Sequence, residues 1–428
     1  NSANMKNFVE ELRWRGMIHD ITPNTEEYLS KNLTSGYIGF DPTADSLHIG
    51  NLVQIMTLVH FQKCGHKPII LIGCATGMIG DPSGKSKERK FLEFDTIKLN
   101  QKKIQLQFEK FLNFSGNNAA SIVNNNSWFK NFDLLKFLRE IGKHISINYM
   151  IAKESVKNRL ETGISFTEFS YQLIQGYDFY WLWKNKDVKI QLGGSDQWGN
   201  ILTGNELIRK IGKGDSFALT TPLITKSDGG KFGKTEDGNV WLDPKRTSPY
   251  EFYQFWINIS DIDAVHFIKI FSLNSKPKID ELIKSHNKEP HLRLLQNSLA
   301  DEITRLVHGK SNLDTVKNTS KILFGRSDYK DLKDMSKHEI ESLGSAVSNV
   351  TINRSDLSNN LLTILSESSK NKIFKSKSDV RRMIKNNGLI INKNKIVDEN
   401  YNLSENLIFN KFALIQKGKK HYTFIIVE

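Results

Sequence analysis

Three short stretches of this chain collect groups that hold polyphosphate. DPTADSLHIGN (41–51) places His48 between a predicted strand and a predicted helix, with Asp45 or Ser46 expected to cap that helix and His48 in its first turn. A helix start offers free N–H donors and partial positive charge, and Gly50 there lets another group approach the backbone closely. GCATGMIGDPSGKS (73–86) sets Gly77, Gly80, Gly84 and Lys85 in a loop after an apolar run. It is not a Walker loop: that pattern needs a glycine where Ile79 stands, and Pro82 removes a donor. GGKFGKT (229–235) adds Lys231, Lys234 and Thr235 in a glycine-rich cationic loop suited to closing over phosphates.

Two further stretches carry polar groups of a different kind. In YQLIQGYD (171–178), Tyr171, Gln175 and Asp178 fall at i, i+4 and i+7, on one face of a predicted helix otherwise crowded with aromatic residues. That face is either a ligand surface or a solvated stripe, and Gly176 within it points to close approach by another element. QLGGSDQWGN (191–200) puts Gln191, Asp196 and Gln197 around a double-glycine turn at the carboxyl end of a predicted strand, where open α/β sheets bind ligands.

The elements that position these groups follow from the apolar pattern. Strands are predicted at 36–42, 68–74, 188–196 and, more weakly, 121–128. Helices are predicted at 48–65, 97–113, 166–183 and 197–212, which makes a parallel α/β sheet. The pattern implies an α/β catalytic domain over 5–245 and an all-helical domain over 246–341. A Ser- and Asn-rich linker at 342–360 and a small basic α+β module at 361–428 follow. Asn1–Asn4, ahead of Met5, read as an appended leader.

With 428 residues the chain can bury a sizeable core. Its 60 Lys and Arg against 47 Asp and Glu leave a net charge of +13, concentrated towards the C-terminal module, which points to nucleic acid as partner. Cys64 and Cys74 form neither a CxxC pair nor a zinc pattern, as expected in a reducing cytosol, and no apolar run approaches a membrane span.

HIGN resembles the HIGH signature of class I aminoacyl-tRNA synthetases, and KFGKT, about 180 residues later, resembles their KMSKS loop. Together with GFDPTADSLHIGN, GDPSGK, FTEFSYQLIQGYDF and GGSDQWGN, they make the chain resemble the bacterial and organellar tyrosyl-tRNA synthetases nearly end to end. The resemblance implies a Rossmann-like catalytic domain and a ligase. It would activate L-tyrosine with ATP, releasing pyrophosphate, and pass the tyrosyl group to the 3′ end of tRNA(Tyr).

By the same resemblance, Tyr37 and Asp178 would read the substrate's phenolic hydroxyl, Tyr171, Gln175 and Asp81 would hold its ammonium group, and Gln191 would complete the tyrosine pocket. Gly39, Asp41, Gly50, Asn51, Gly194, Asp196 and Gln197 would line the ATP and adenylate site. Thr43 and His48 would stabilise the pyrophosphate in the transition state, with Lys85, Arg89, Lys231, Lys234 and Thr235 on mobile cationic loops. Arg381, Arg382 and Lys385 would contact RNA from a ribosomal-protein-like domain. Mg²⁺ would travel with the ATP phosphates and no metal would be protein-bound. A cytoplasmic homodimer is implied.

Two departures stand out: Asn51 where the signature has its second histidine, and Phe232-Gly233 where the loop has Met-Ser. A tryptophanyl-tRNA synthetase shares this architecture, but an indole N–H only donates, which suits a Tyr37–Asp178 pair poorly. An RNA-binding protein without catalysis would keep the basic module and lack the pocket.

Overall fold

In a computed structural model, residues 6–235, 238–419 and 421–428 are described. The expected start of the catalytic domain at Met5 and the leader before it lie outside the described residues. The chain divides into two compact units, 1–247 with 255–307 and 248–254 with 308–428.

The first unit is built on a six-stranded sheet. Its strands are β1 (Asp20–Ile21), β2 (Ser35–Phe40), β3 (Lys67–Ile72), β4 (Ser121–Asn124), β5 (Val188–Gly194) and β6 (Phe217–Thr221). They run in the order β1-β6-β5-β2-β3-β4, all pairs parallel except β1 with β6. From β2 the chain proceeds outward through β3 and β4, then returns to β5 and β6 on the other side. The order therefore reverses between β2 and β5, the place where ligands bind in such sheets.

Sequence explains the central strands. PIILI in β3 and all of β6 are buried, as strands covered on both faces must be. The helix Leu52–Lys63 covers the sheet with almost wholly buried residues, and Gly36 leaves room for Phe61, which a Cβ there would strike at 2.8 Å. The helix Phe166–Lys186 crosses Trp198–Leu207 at Gly176, whose absent Cβ would lie 3.2 Å from Gly204 N. The close approach expected at Gly176 is thus a helix crossing. β1 and β6 have no counterpart among the predicted strands, because Asp20–Ile21 is two residues long and FALTT is only five, ended by Pro222.

A two-stranded ribbon, β7 (Lys234–Thr235) with β8 (Gly238–Asn239), closes the KFGKT loop. The helices Asp261–Phe271, Lys276–Lys288 and Leu294–His308 follow. Arg15, buried, donates to the carbonyls of Lys269 at 2.7 Å and Ser272 at 2.6 Å, satisfying the end of the first of these.

The second unit carries a five-stranded sheet: β9 (Ser348–Ile352), β10 (Leu389–Ile391), β11 (Asn394–Lys395), β12 (Phe412–Lys417) and β13 (His421–Val427), in the order β11-β10-β12-β13-β9. Here the structure differs from the sequence-based division. The residues expected to form a linker (342–360) contain β9, which pairs in parallel with β13 from Ser348–Thr423 to Ile352–Val427. As an edge strand it buries only Val350 and Ile352, so its polar composition masks it. The helical stretch expected as one domain at 246–341 is also divided. Residues 308–341 group with the C-terminal sheet, where Leu323, Leu332, Ile340 and Leu343 pack with Phe412, Leu414 and Phe424.

Candidate functional site

The carboxyl ends of β2 and β5 open into a cavity of about 500 Å³. Strand β2 and the turn after it supply Tyr37, Gly39, Asp41 and Thr43, and the next turn supplies His48, Gly50 and Asn51. The loop after β3 gives Asp81, Lys85 and Arg89; the helix Phe166–Lys186 gives Tyr171, Gln175 and Asp178; β5 and its turn give Gln191, Gly194, Asp196 and Gln197. From the cationic loop only Lys234 reaches the wall. Lys231 and Thr235, also expected at the site, do not line it: Lys231 is tied into a bridge with Thr225 and Thr235 sits in β7.

The closed end of the cavity is polar and buried. Tyr37 is fully buried and its hydroxyl has no partner; the Oε1 of Gln191 is likewise buried and unpaired. Burial, and then the neighbouring Asp178, hold the Tyr37 phenol protonated far beyond its usual range. The carboxyl of Asp178, also buried, accepts from Trp128 Nε1 at 2.9 Å and from Asn125 Nδ2 at 3.2 Å, yet burial still pushes its pKa well above the carboxylate range. Orphaned buried polar atoms are rare and costly, and a pair of them facing one cavity calls for a ligand with matching groups.

Asn125 joins this end to the middle. Its Nδ2 also donates to Thr76 Oγ1 at 3.1 Å, and Thr76 and Tyr171 both donate to Asp41 at 2.6 Å. Burial raises Asp41 to about 6, against those two donors. Beside it, Asp81 accepts from Gln197 Nε2 at 2.7 Å and from Ser83 N at 2.9 Å, while Asn200 Nδ2 donates to Gln175 Oε1 at 3.0 Å. The face shared by Tyr171, Gln175 and Asp178 is therefore a buried, bonded wall of the cavity and not a solvated stripe.

The open end is cationic. Lys85 is held below its usual value by partial burial and then by Arg89, Lys231 and Lys234, so Lys231 acts on this end without lining it. Burial, Lys234 and Lys85 push His48 down to about 4, so at neutral pH it is an uncharged imidazole. Arg89 has a buried Nε with no partner.

The cap differs from the expected one. His48 itself precedes the turn Ile49–Asn51, and its N–H donates to Asn51 Oδ1 at 3.0 Å. Asp45 instead meets Arg246 at 2.6 Å, and Ser46 accepts from Gln107 at 2.9 Å. Asn51, the first departure, thus holds the turn in place. Gly50 is required because the His48 ring lies where a Cβ would be, 2.8 Å from it.

The second departure has an equally local reason. Phe232 sits among Phe255, Trp256, Phe267 and Phe271, stacked on the last at 5.5 Å, and anchors the loop. Gly233 follows at φ +79°, with its absent Cβ 2.8 Å from Gly50 N. Backbone bonds from Val240 N to Gly233 O at 3.0 Å and from Ile49 N to Val240 O at 2.9 Å lock loop and turn together.

In the second unit, Arg381, Arg382 and Lys385 lie exposed on the helix Lys377–Lys385, Arg381 bonded to Glu399 at 2.9 Å and Arg382 3.5 Å from Asp379. Asn125, Trp128, Thr76 and Asn200 were not singled out from sequence. The signal for the first two is that NNSW (125–128) directly follows β4 at the carboxyl edge of the sheet.

Among the described residues no three His, Cys, Asp or Glu side chains gather as a metal site, and no helix is long and apolar enough to cross a membrane.

The chain matches the family model "tRNA synthetases class I (W and Y)" over residues 30–325 and the "Tyrosine--tRNA ligase SYY-like C-terminal domain" over 339–425. It is 54% identical over 421 residues to a tyrosine–tRNA ligase of Cytophaga hutchinsonii, covering 98% of this chain and 99% of that one. It is 53% identical over 429 residues to the Porphyromonas gingivalis ligase, covering 99% and 100%. A solved, C-terminally truncated mitochondrial tyrosyl-tRNA synthetase of Aspergillus nidulans superposes with TM-score 0.68 at 32% identity, over 74% of this chain and 94% of the other.

Proposed function

Since the chain belongs to the class I aminoacyl-tRNA synthetases of the tryptophan and tyrosine group, we propose that it is a tyrosine–tRNA ligase, activating L-tyrosine with ATP and charging tRNA(Tyr). The observation that carries the choice of amino acid is the buried, unpartnered hydroxyl of Tyr37 beside Asp178. A phenol satisfies both: it accepts from Tyr37 and donates to Asp178. Phenylalanine would leave the Tyr37 hydroxyl unpaired and give Asp178 no donor beyond Trp128 and Asn125, an effect for which tyrosyl-tRNA synthetases are a standard illustration. An indole N–H could serve only the carboxyl.

Asp81, Gln175 and Tyr171 then surround the ammonium group, and Gly39, Asp41, Gly194, Asp196 and Gln197 border the adenylate. The substrate carboxylate is already ionised at neutral pH, so attack on the α-phosphorus needs no general base. What it needs is alignment and compensation of charge on the leaving pyrophosphate. Thr43 and neutral His48 donate hydrogen bonds there, and Lys85, Arg89, Lys231 and Lys234 supply the positive field. Mg²⁺ comes with the nucleotide as part of the substrate, since the groups at this end are phosphate donors and not metal ligands.

Arg381, Arg382 and Lys385 would meet the RNA backbone. Leu134, Leu135, Ile147 and Phe166, each more than half exposed, support a homodimer, and the site would work in the cytoplasm. The test is tyrosine-dependent exchange of labelled pyrophosphate into ATP, with phenylalanine and tryptophan as controls and Asp178→Ala beside the parent. Exchange with tyrosine alone, lost in the variant, is expected; exchange with tryptophan moves the assignment within the family, and none with any amino acid removes the activity.

A further inference from the structure

Behind the cavity wall lies an ion pair with both partners inside the protein. Arg159 Nη1 is 2.9 Å from Glu168 Oε2, and the side chains are 3% and 0% exposed. Buried pairs are expensive to desolvate, and apolar residues of like volume often serve stability as well or better. The use of this one shows in the other carboxylate oxygen: Glu168 Oε1 accepts the main-chain N–H of Arg89 at 3.3 Å. Ser165, the cap of the helix Phe166–Lys186, repeats the tie one residue earlier. Its hydroxyl donates to Glu88 Oε1 at 2.5 Å and accepts from Glu168 N–H at 3.2 Å. Two consecutive residues of the loop bearing Lys85 and Arg89 are thereby fastened to the first turn of the helix bearing Tyr171, Gln175 and Asp178.

We infer that Arg159 and Glu168 are a positioning pair for the activation step, aiming the Arg89 guanidinium at the phosphate end of the cavity without touching substrate. The inference rests on the proposed activity. Glu168 faces two groups on two sides: one oxygen lies against the Arg159 charge and the other accepts the Arg89 backbone N–H. A glutamine there keeps one acceptor oxygen for Arg89 but brings no charge to Arg159.

The experiment is a double-mutant cycle in pyrophosphate exchange on the full chain, with Glu168→Gln, Arg89→Ala and the double variant, each checked by thermal melting. Glu168→Gln should lower kcat roughly 10-fold while the tyrosine KM stays within about twofold, because the amino-acid end is untouched. In the Arg89→Ala background the same change should cost less than about twofold more, since nothing remains to be aimed. Losses that multiply, or a tyrosine KM rising in step with the fall in kcat, overturn the inference. Should Glu168→Gln melt below the assay temperature, Ser165→Ala decides. A fall in kcat of about threefold at constant tyrosine KM supports the pair's role, and parent kinetics overturn it. A parent that does not exchange with tyrosine removes the activity and the inference together, whereas a parent that exchanges beside multiplicative losses removes the inference alone.

Discussion

Trp128 Nε1 donates to Asp178 Oδ1 at 2.9 Å, both groups inside the protein at the closed end of the cavity. A hydrogen bond to the ionised carboxyl favours that form, so it opposes the upward push of burial. Trp128→Phe should drive the Asp178 pKa further up and raise the tyrosine KM roughly 10-fold, the worth of a bond to a charged acceptor. The defect should deepen as pH falls, because more of the carboxyl is then protonated. Steady-state exchange across a pH series measures it, and a pH-independent defect would contradict the account.

Tyr37 makes the opposite case, a hydroxyl with nothing to bond in the free protein. Tyr37→Phe should melt at or above the parent temperature, since it removes a desolvated, unsatisfied group. Its preference for tyrosine over phenylalanine should fall about 10-fold, near 1.4 kcal/mol. The two measurements are a calorimetric scan and the ratio of kcat/KM values in exchange; loss of stability would mean the hydroxyl is partnered.

Asp41, raised by burial to about 6, gives a pH limb. Below that value it is protonated and no longer accepts from both Thr76 and Tyr171, so kcat/KM for tyrosine should fall as pH drops through about 6. The folded value lies above the unfolded one. Folding is therefore favoured by the protonated form at low pH, and this contribution is lost as pH rises from about 4 to about 6. Asp41→Asn should be poorly active throughout and lack the limb; a limb that persists belongs to another group.

Gly233→Ala tests the contact between loop and turn. A positive φ costs a non-glycine residue about 1–2 kcal/mol, and the new methyl carbon would sit 2.8 Å from Gly50 N. The turn carrying His48 must move, so kcat in exchange should fall by roughly 10-fold or more while tyrosine affinity stays near the parent value. Equilibrium dialysis with tyrosine, beside exchange rates, separates the two.

Arg382→Glu with Lys385→Glu should leave exchange unchanged and weaken tRNA charging, more at low salt than at high, because backbone contacts act through counterion release. Equal charging in parent and variant across a salt series would place the RNA surface elsewhere.

Much of this site is legible in the sequence because it sits where a parallel sheet reverses, and the strands there are apolar runs ending in glycine turns. Gln175 and Asp178 are readable as one face of a helix, whereas Tyr37 and Asp81 come only from the resemblance of the motifs around them. Asn125 and Trp128 could not be placed, because the strand expected at 121–128 ends at Asn124 and is half-buried along its length, so its pattern does not mark the residues that follow it. The Arg159–Glu168 pair escapes because each residue, read alone, belongs on a surface. Strand β9 escapes because an edge strand with one buried face keeps the polar composition of a linker.

That strand also bears on the order in which the chain can acquire its shape. β9 spans residues 348–352, and its neighbour in the sheet is β13, residues 421–427, which also pairs with β12. During synthesis β9 leaves the ribosome about seventy residues before anything can hydrogen-bond to it, and β12 waits with one side bare. The C-terminal sheet therefore forms after translation has passed residue 421, long after the strands around the cavity have met. A chain ending anywhere between 353 and 420 carries every strand around the cavity and lacks the strand that pairs with β9.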